Sequence, residues 1–197
     1  MPSLKLLDVH TTIGCNLSCK GCNHFSNYFA PSSKLDTDAL LRDIEVILPR
    51  LDLGRVNVIG GEPLLNPRCE EILNTCISST KSLVYLYTNG LLLHKNEDWI
   101  RKALENPRVF LRISIHLKEV EDIIKKFNHP KVLVTVHHTG QDRWFNSIKK
   151  RDNKVYPYNH NNITRSYNAC SCPNPQLYNG KLWKCPNTAY LLSLIHI

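Results

Sequence analysis

The sequence predicts an α/β fold built as a parallel barrel with a short C-terminal hairpin. Apolar runs alternate with segments of helical spacing, one strand shows two distinct faces, and an Asn-Gly pair joins two short apolar runs near the end. The 197 residues, 42% hydrophobic and 21% charged, suffice for one packed domain and exclude a disordered or collagenous chain.

Strands are predicted to begin near Lys5, Arg55, Ser82, Phe110 and Lys131. Between the first two, Leu40, Leu41, Ile44 and Leu48 repeat at helical spacing. After the second, Cys69, Ile72, Leu73, Cys76 and Ile77 form one apolar stripe behind Asn66 as cap and Pro67 at the first helical position. Packing accounts fully for Cys69 and Cys76 on that stripe. In the fourth strand Val109, Leu111, Ile113 and Ile115 face one way, and Phe110, Arg112, Ser114 and His116 the other. The first strand sets Leu7 and Val9 against Asp8, His10 and Thr12 in the same manner. Helices suit the apolar faces, and polar groups near a barrel mouth suit the others. Val120, Ile123, Ile124 and Phe127 make a further helix.

From Gln141 the periodicity fades into polar sequence, with a weak sixth strand near Lys154 to Tyr158. Residues 1–150 are therefore expected to be the core and 151–169 a connector. Residues 170–191 open a cysteine-bearing extension, in which Gln176–Tyr178, Asn179-Gly180 and Lys181–Trp183 form the hairpin. Residues 192–197 match the translation of a transposon end used in sequencing adapters, so they are expected to be a non-native tail.

No apolar run reaches the ~18 residues of a membrane helix, and the first residues lack a signal pattern. The expectation is a soluble, cytoplasmic protein. The net charge of +8 raises nucleic acid as a partner, but the basic residues are scattered and a solvated basic surface accounts for them.

Eight cysteines without a secretion signal point to metal rather than disulfides. Cys15, Cys19 and Cys22 fall within eight residues after the first strand. Zinc sites collect their ligands as separated pairs, whereas this tight group suits a cubane iron–sulfur cluster with one iron free of protein ligands. His24 closing a Cys₃His zinc site is the alternative. At the end of the second strand stands Gly60-Gly61-Glu62-Pro63, where two glycines admit close approach of a ligand or a turn.

The CxxxCxxC loop, GGEP after strand two, Tyr87-Thr88-Asn89-Gly90 after strand three, and Ser114 with His116 on strand four follow one order. That order resembles the radical S-adenosylmethionine (SAM) superfamily over residues 4–138. The resemblance implies a partial (β/α)6 barrel and a 4Fe-4S cluster on Cys15, Cys19 and Cys22 whose open iron chelates SAM. It implies cleavage of SAM to methionine and a 5′-deoxyadenosyl radical that abstracts hydrogen from a peptide or small-molecule substrate. An electron donor such as flavodoxin or ferredoxin is implied with it. By the same resemblance Gly60, Gly61, Glu62 and Pro63 meet the methionine amino group, and Asn89, Ser114 and His116 lie near the ribose or carboxylate. The residue before the third cysteine, often an aromatic adenine contact, is Gly21 here, with Phe25 or His24 as replacements. Cys170, Cys172 and Cys185 resemble the opening of a SPASM or twitch extension, which implies a second iron–sulfur cluster; zinc on the same cysteines, or a hairpin that caps the open barrel with Trp183 and Leu182, are the other readings. The alternatives are a glycyl-radical activating enzyme and a non-catalytic iron–sulfur or zinc protein that binds nucleic acid.

Overall fold

The computed structural model describes residues 1–19, 22–33, 35–137, 148–151, 154–157, 174–186 and 188–190. In chain order the elements are β1 (Ser3–Leu4), β2 (Leu7–His10), α1 (Thr37–Ile47), β3 (Asp52–Leu53), β4 (Arg55–Ile59) and α2 (Cys69–Ser79). They continue with β5 (Leu83–Thr88), α3 (Glu97–Glu105), β6 (Val109–Ile115), α4 (Glu119–Phe127) and β7 (Val132–Val136). Two antiparallel pairs follow, β8 (Ile148–Arg151) with β9 (Lys154–Pro157), and β10 (Gln176–Tyr178) with β11 (Lys181–Trp183). Among the described residues no helix is long and apolar enough to cross a membrane.

The main sheet runs β11-β10-β2-β4-β5-β6-β7 and is parallel throughout except for β11. It stays open between its two edges, as a partial barrel does. Each of the first four core strands returns through one helix, α1 to α4, so all these helices pack on one face of the sheet. The alternation read from the sequence decides which face. Val109, Leu111, Ile113 and Ile115 are buried, while Phe110, Arg112, Ser114 and His116 are half-buried. Leu40 and Ile44 of α1, Ile72, Leu73 and Cys76 of α2, Ile100 and Leu104 of α3, and Val120 of α4 complete that core. Burial of each large aliphatic side chain contributes about 1.5–3 kcal/mol.

Helix α2 begins at Cys69, two residues after the predicted first position Pro67, and the signal still acts. Asn66 Oδ1 accepts from Arg68 N at 2.9 Å, while its Nδ2 donates to Thr11 O at 2.8 Å. Cys69 and Cys76 lie in the core, and burial raises both thiol pKa values, that of Cys76 to about 12. Such thiols are packing groups.

The sixth parallel strand differs from expectation. β9 occupies the predicted segment near Lys154, yet it pairs with β8 and not with the main sheet. The sheet gains β10 instead, at the opposite edge beside β2. Its turn explains the hairpin: Asn179 and Gly180 have φ of 51° and 70°, which matches the right-handed strand twist. The docking is explained by a buried polar chain. Asp8 accepts from Asn57 Nδ2 at 2.6 Å and from Gln176 Nε2 at 2.7 Å, which leaves Gln176 Oε1 to accept from His10 Nε2. His10 Nδ1 is then an acceptor and takes the hydroxyl proton of Tyr190 in a hydrogen bond, an assignment that follows from the network. Asp8 and His10, expected at a polar mouth, are thus interior groups that join β2 to β10.

This chain requires neutral His10. Burial, then the neighbouring His24, holds the His10 pKa well below its ordinary 6.5 in the folded state. The unfolded chain takes up that proton near pH 6.5, so this contribution is fully present above pH 6.5 and is lost as the pH falls below it. Urea midpoints at pH 7 and pH 5 should therefore differ more in the native protein than in His10→Gln. Equal differences in the two proteins would show that His10 is not the linked group.

Candidate active site

Parallel strands place their C-terminal ends on one rim, and the loops leaving β2, β4, β5 and β6 meet there. They line a recess with a volume of about 120 Å³. Its walls include Cys15, Cys19 and Cys22 from the first loop, and Gly60, Gly61, Glu62 and Pro63 from the second. Asn89 follows β5, Ser114 lies in β6 and His116 just after it. The structure therefore brings ten of the sequence-predicted residues to one cavity. Cys185 is buried elsewhere, its Sγ 3.7 Å from Thr188 Oγ1, and Cys170 and Cys172 lie outside the described residues. The 192–197 tail also lies outside them.

The glycine pair has a local reason. Gly61 N donates to Thr12 O and Glu62 N to Gly14 O, both at 2.9 Å, so the end of β4 lies against the chain just before Cys15. A Cβ on Gly61 would overlap the Gly14 carbonyl oxygen and come within 2.6 Å of Ile13 O. The two glycines thus seat the cysteine loop.

Glu62 has a role that its motif did not disclose. Its carboxylate accepts from Leu64 N at 3.1 Å, Thr88 Oγ1 at 2.7 Å and Asn89 N at 2.8 Å. One buried carboxylate therefore ties the end of β4 to that of β5. Burial pushes its pKa up to about 7 although the three donors pull it down. Asn89 extends the tie to the cysteines: Nδ2 donates to Asn16 Oδ1 at 2.7 Å and to Cys15 Sγ at 3.8 Å, while Oδ1 accepts from Leu91 N at 3.1 Å. Asn16 and Thr88 were not singled out in the sequence, although both stand inside the motifs quoted there.

Cys15, Cys19 and Cys22 on one recess are the donor type that would hold an iron–sulfur cluster. Among the described residues no three His, Cys, Asp or Glu side chains are placed to grip a single ion. Cys15 Sγ also accepts from Leu17 N at 3.4 Å, and N–H donors to sulfur are what a cluster-bound thiolate receives. As a thiol, Cys15 has its pKa pushed up to about 12 by burial, then by Glu62 and the other two cysteines. Burial and Cys22 raise Cys19 likewise. Coordinated iron would reverse this, because a metal charge keeps its thiol ligands deprotonated. The residues present fit the group.

Asn89→Asp checks the tie. The side chain keeps an acceptor for Leu91 N but loses the donor to Asn16 and Cys15. Electron density then rises on the Cys15 sulfur, so the reduction potential of the bound cluster should move to more negative values with iron content retained. Potentiometric titration followed by electron paramagnetic resonance measures it, and an unchanged potential would release Asn89 from this role.

An open parallel α/β sheet with a three-cysteine loop on its C-terminal rim defines an iron–sulfur protein class. The chain belongs to the radical SAM superfamily, whose family model matches residues 9–150. Members of that superfamily use a 4Fe-4S cluster and SAM, and generally need an electron donor. The chain is 32% identical over 104 residues to the GTP 3′,8-cyclase of Aquifex aeolicus (strain VF5), covering 51% of this chain and 32% of that protein. It is 30% identical over 118 residues to the GTP 3′,8-cyclase of Mycolicibacterium smegmatis (strain ATCC 700084 / mc(2)155), covering 58% and 31%. The chain thus spans about a third of the length of these relatives. Its fold is similar to that of BtrN, solved in complex with AdoMet and 2-DOIA, with a TM-score of 0.51 and 16% identity over 70% of this chain and 58% of that one.

Proposed function

We propose that this chain is the catalytic core of a radical SAM enzyme, with Cys15, Cys19 and Cys22 holding the 4Fe-4S cluster. The observation that carries the reading is the convergence of all three thiols, the Gly60–Pro63 turn, Asn89, Ser114 and His116 on one recess. When bound, the cluster and SAM supply reductive cleavage of the sulfonium to methionine and a 5′-deoxyadenosyl radical that takes hydrogen from the substrate. The chain's own residues hold and orient. Asn89 and Leu17 N donate to Cys15 Sγ, and the Gly60–Gly61 backbone seats the loop. Glu62 fixes two strand ends in one arrangement. His24 stands beside the recess with Nε2 buried and unpartnered, which supports it over Phe25 as a contact for the bound adenosyl group. Phe25 is fully buried in a separate apolar cluster.

The reading includes a cytoplasmic setting with flavodoxin or ferredoxin as electron source. Cys170, Cys172 and Cys185 are the candidate ligands of a second cluster, and iron content unchanged in Cys185→Ala would remove that assignment.

Electron paramagnetic resonance of the reduced, reconstituted protein tests the reading. Addition of SAM should change the cluster signal, because the open iron gains the ligand. A signal indifferent to saturating SAM would place SAM elsewhere.

A further inference from the structure

We propose that the substrate carries an anionic group, phosphate or carboxylate, and that Arg112 binds it on the inner face of the sheet beneath the recess. The inference rests on the radical SAM reading for what lies above it.

The alternation of β6 puts Arg112 on the same face as Ser114 and His116, both of which line the recess. Two residues along a strand is about 6.6 Å, so Arg112 stands one layer below Ser114. The parallel register sets Tyr87, another residue of the recess wall, directly beside Arg112. The guanidinium carbon lies 5.6 Å from the centre of the Tyr87 ring. A ring beside the guanidinium restrains its position and leaves N–H edges for an anion.

Among the described residues the charge of Arg112 has no acidic counterpart, and its hydrogen bond to Thr135 Oγ1 is long, at 3.3 Å. The same inner face carries a second arginine. Arg55 on β4 lies 5.1 Å from the centre of the Tyr85 ring, and its Nε is buried with no partner. Of the acids nearby, Asp8 accepts from Asn57 and Gln176 and faces the Arg55 charge, and Glu62 accepts from three donors, which leaves Arg112 as the arginine open to a ligand. Arg112 beside Tyr87, with Tyr85 and Phe110 one layer further along the same face, thus makes a positive, aromatic wall under the recess. A guanidinium offers two parallel N–H donors that match the paired oxygens of phosphate or carboxylate. A neutral apolar substrate would instead desolvate this charge without compensation.

The test is calorimetric titration of inorganic pyrophosphate, and separately of succinate, into cluster-loaded protein with S-adenosylhomocysteine bound, at low ionic strength. One anion should bind saturably per chain, and the responding probe identifies the phosphate or the carboxylate source. Arg112→Gln should weaken binding tenfold or more, and Arg112→Lys should retain part of it. Iron content and circular dichroism of each variant, compared with the native protein, separate this effect from misfolding. If neither anion binds saturably, or if Arg112→Gln binds as tightly as the native protein, the proposal is overturned. Formation of 5′-deoxyadenosine in the same preparations keeps the two readings apart. With SAM cleaved but no Arg112-dependent binding, this inference alone falls. Where Arg112-dependent binding persists without SAM cleavage, the enzyme reading falls and the anion site stands.

Discussion

Changing Cys15, Cys19 and Cys22 together to alanine is expected to remove the iron held at the recess and to lower 5′-deoxyadenosine formation by ~10³-fold or more, about 4 kcal/mol in barrier height. The expectation follows from placement. Of the six cysteines among the described residues, these three line the recess. Cys69 and Cys76 point into the core between α2 and the sheet, and Cys185 is engaged with Thr188. A Cys76→Ala change should accordingly keep the iron and cost only ~1–2 kcal/mol of stability through a small cavity. Iron and sulfide analysis after anaerobic reconstitution distinguishes the two variants, and full iron content in the triple variant would contradict the assignment.

Gly61→Val should be nearly as damaging, for a reason that lies in the backbone. The new Cβ would overlap the Gly14 carbonyl oxygen, so either β4 or the cysteine loop must shift. Both carry the site: Gly61 N and Glu62 N hold the segment Thr12 to Gly14, immediately before Cys15. Overpacking against rigid backbone should cost about 2–3 kcal/mol, and loop displacement should reduce iron retention and SAM affinity together. Denaturant melts and iron analysis measure the two effects. A variant with native stability and full iron would show that the loop is not seated by this turn.

The parts of the fold that local pattern controls were legible in the sequence. The two faces of β6 follow from strict alternation, the α2 stripe from helical spacing, and the hairpin from Asn179-Gly180. The placement of β10 was not legible, because it depends on pairs far apart in the chain. Gln176 reaches Asp8 across 168 positions, and Tyr190 reaches His10 across 180. No local periodicity records such a pairing, and a lone polar residue on a strand looks alike whether it meets solvent or a buried partner. The candidate site shows the same division. Its membership followed from motif order, whereas the internal duties of Glu62 and Asn89 depend on side-chain directions that only the packed strand ends define.

Quantifying 5′-deoxyadenosine in anaerobically reconstituted, chemically reduced protein incubated with SAM tests the central claim most directly. 5′-Deoxyadenosine and methionine should form in equal amounts in the native protein and be lost when Cys15, Cys19 and Cys22 are replaced. Iron-loaded native protein that leaves SAM intact under these conditions would contradict it.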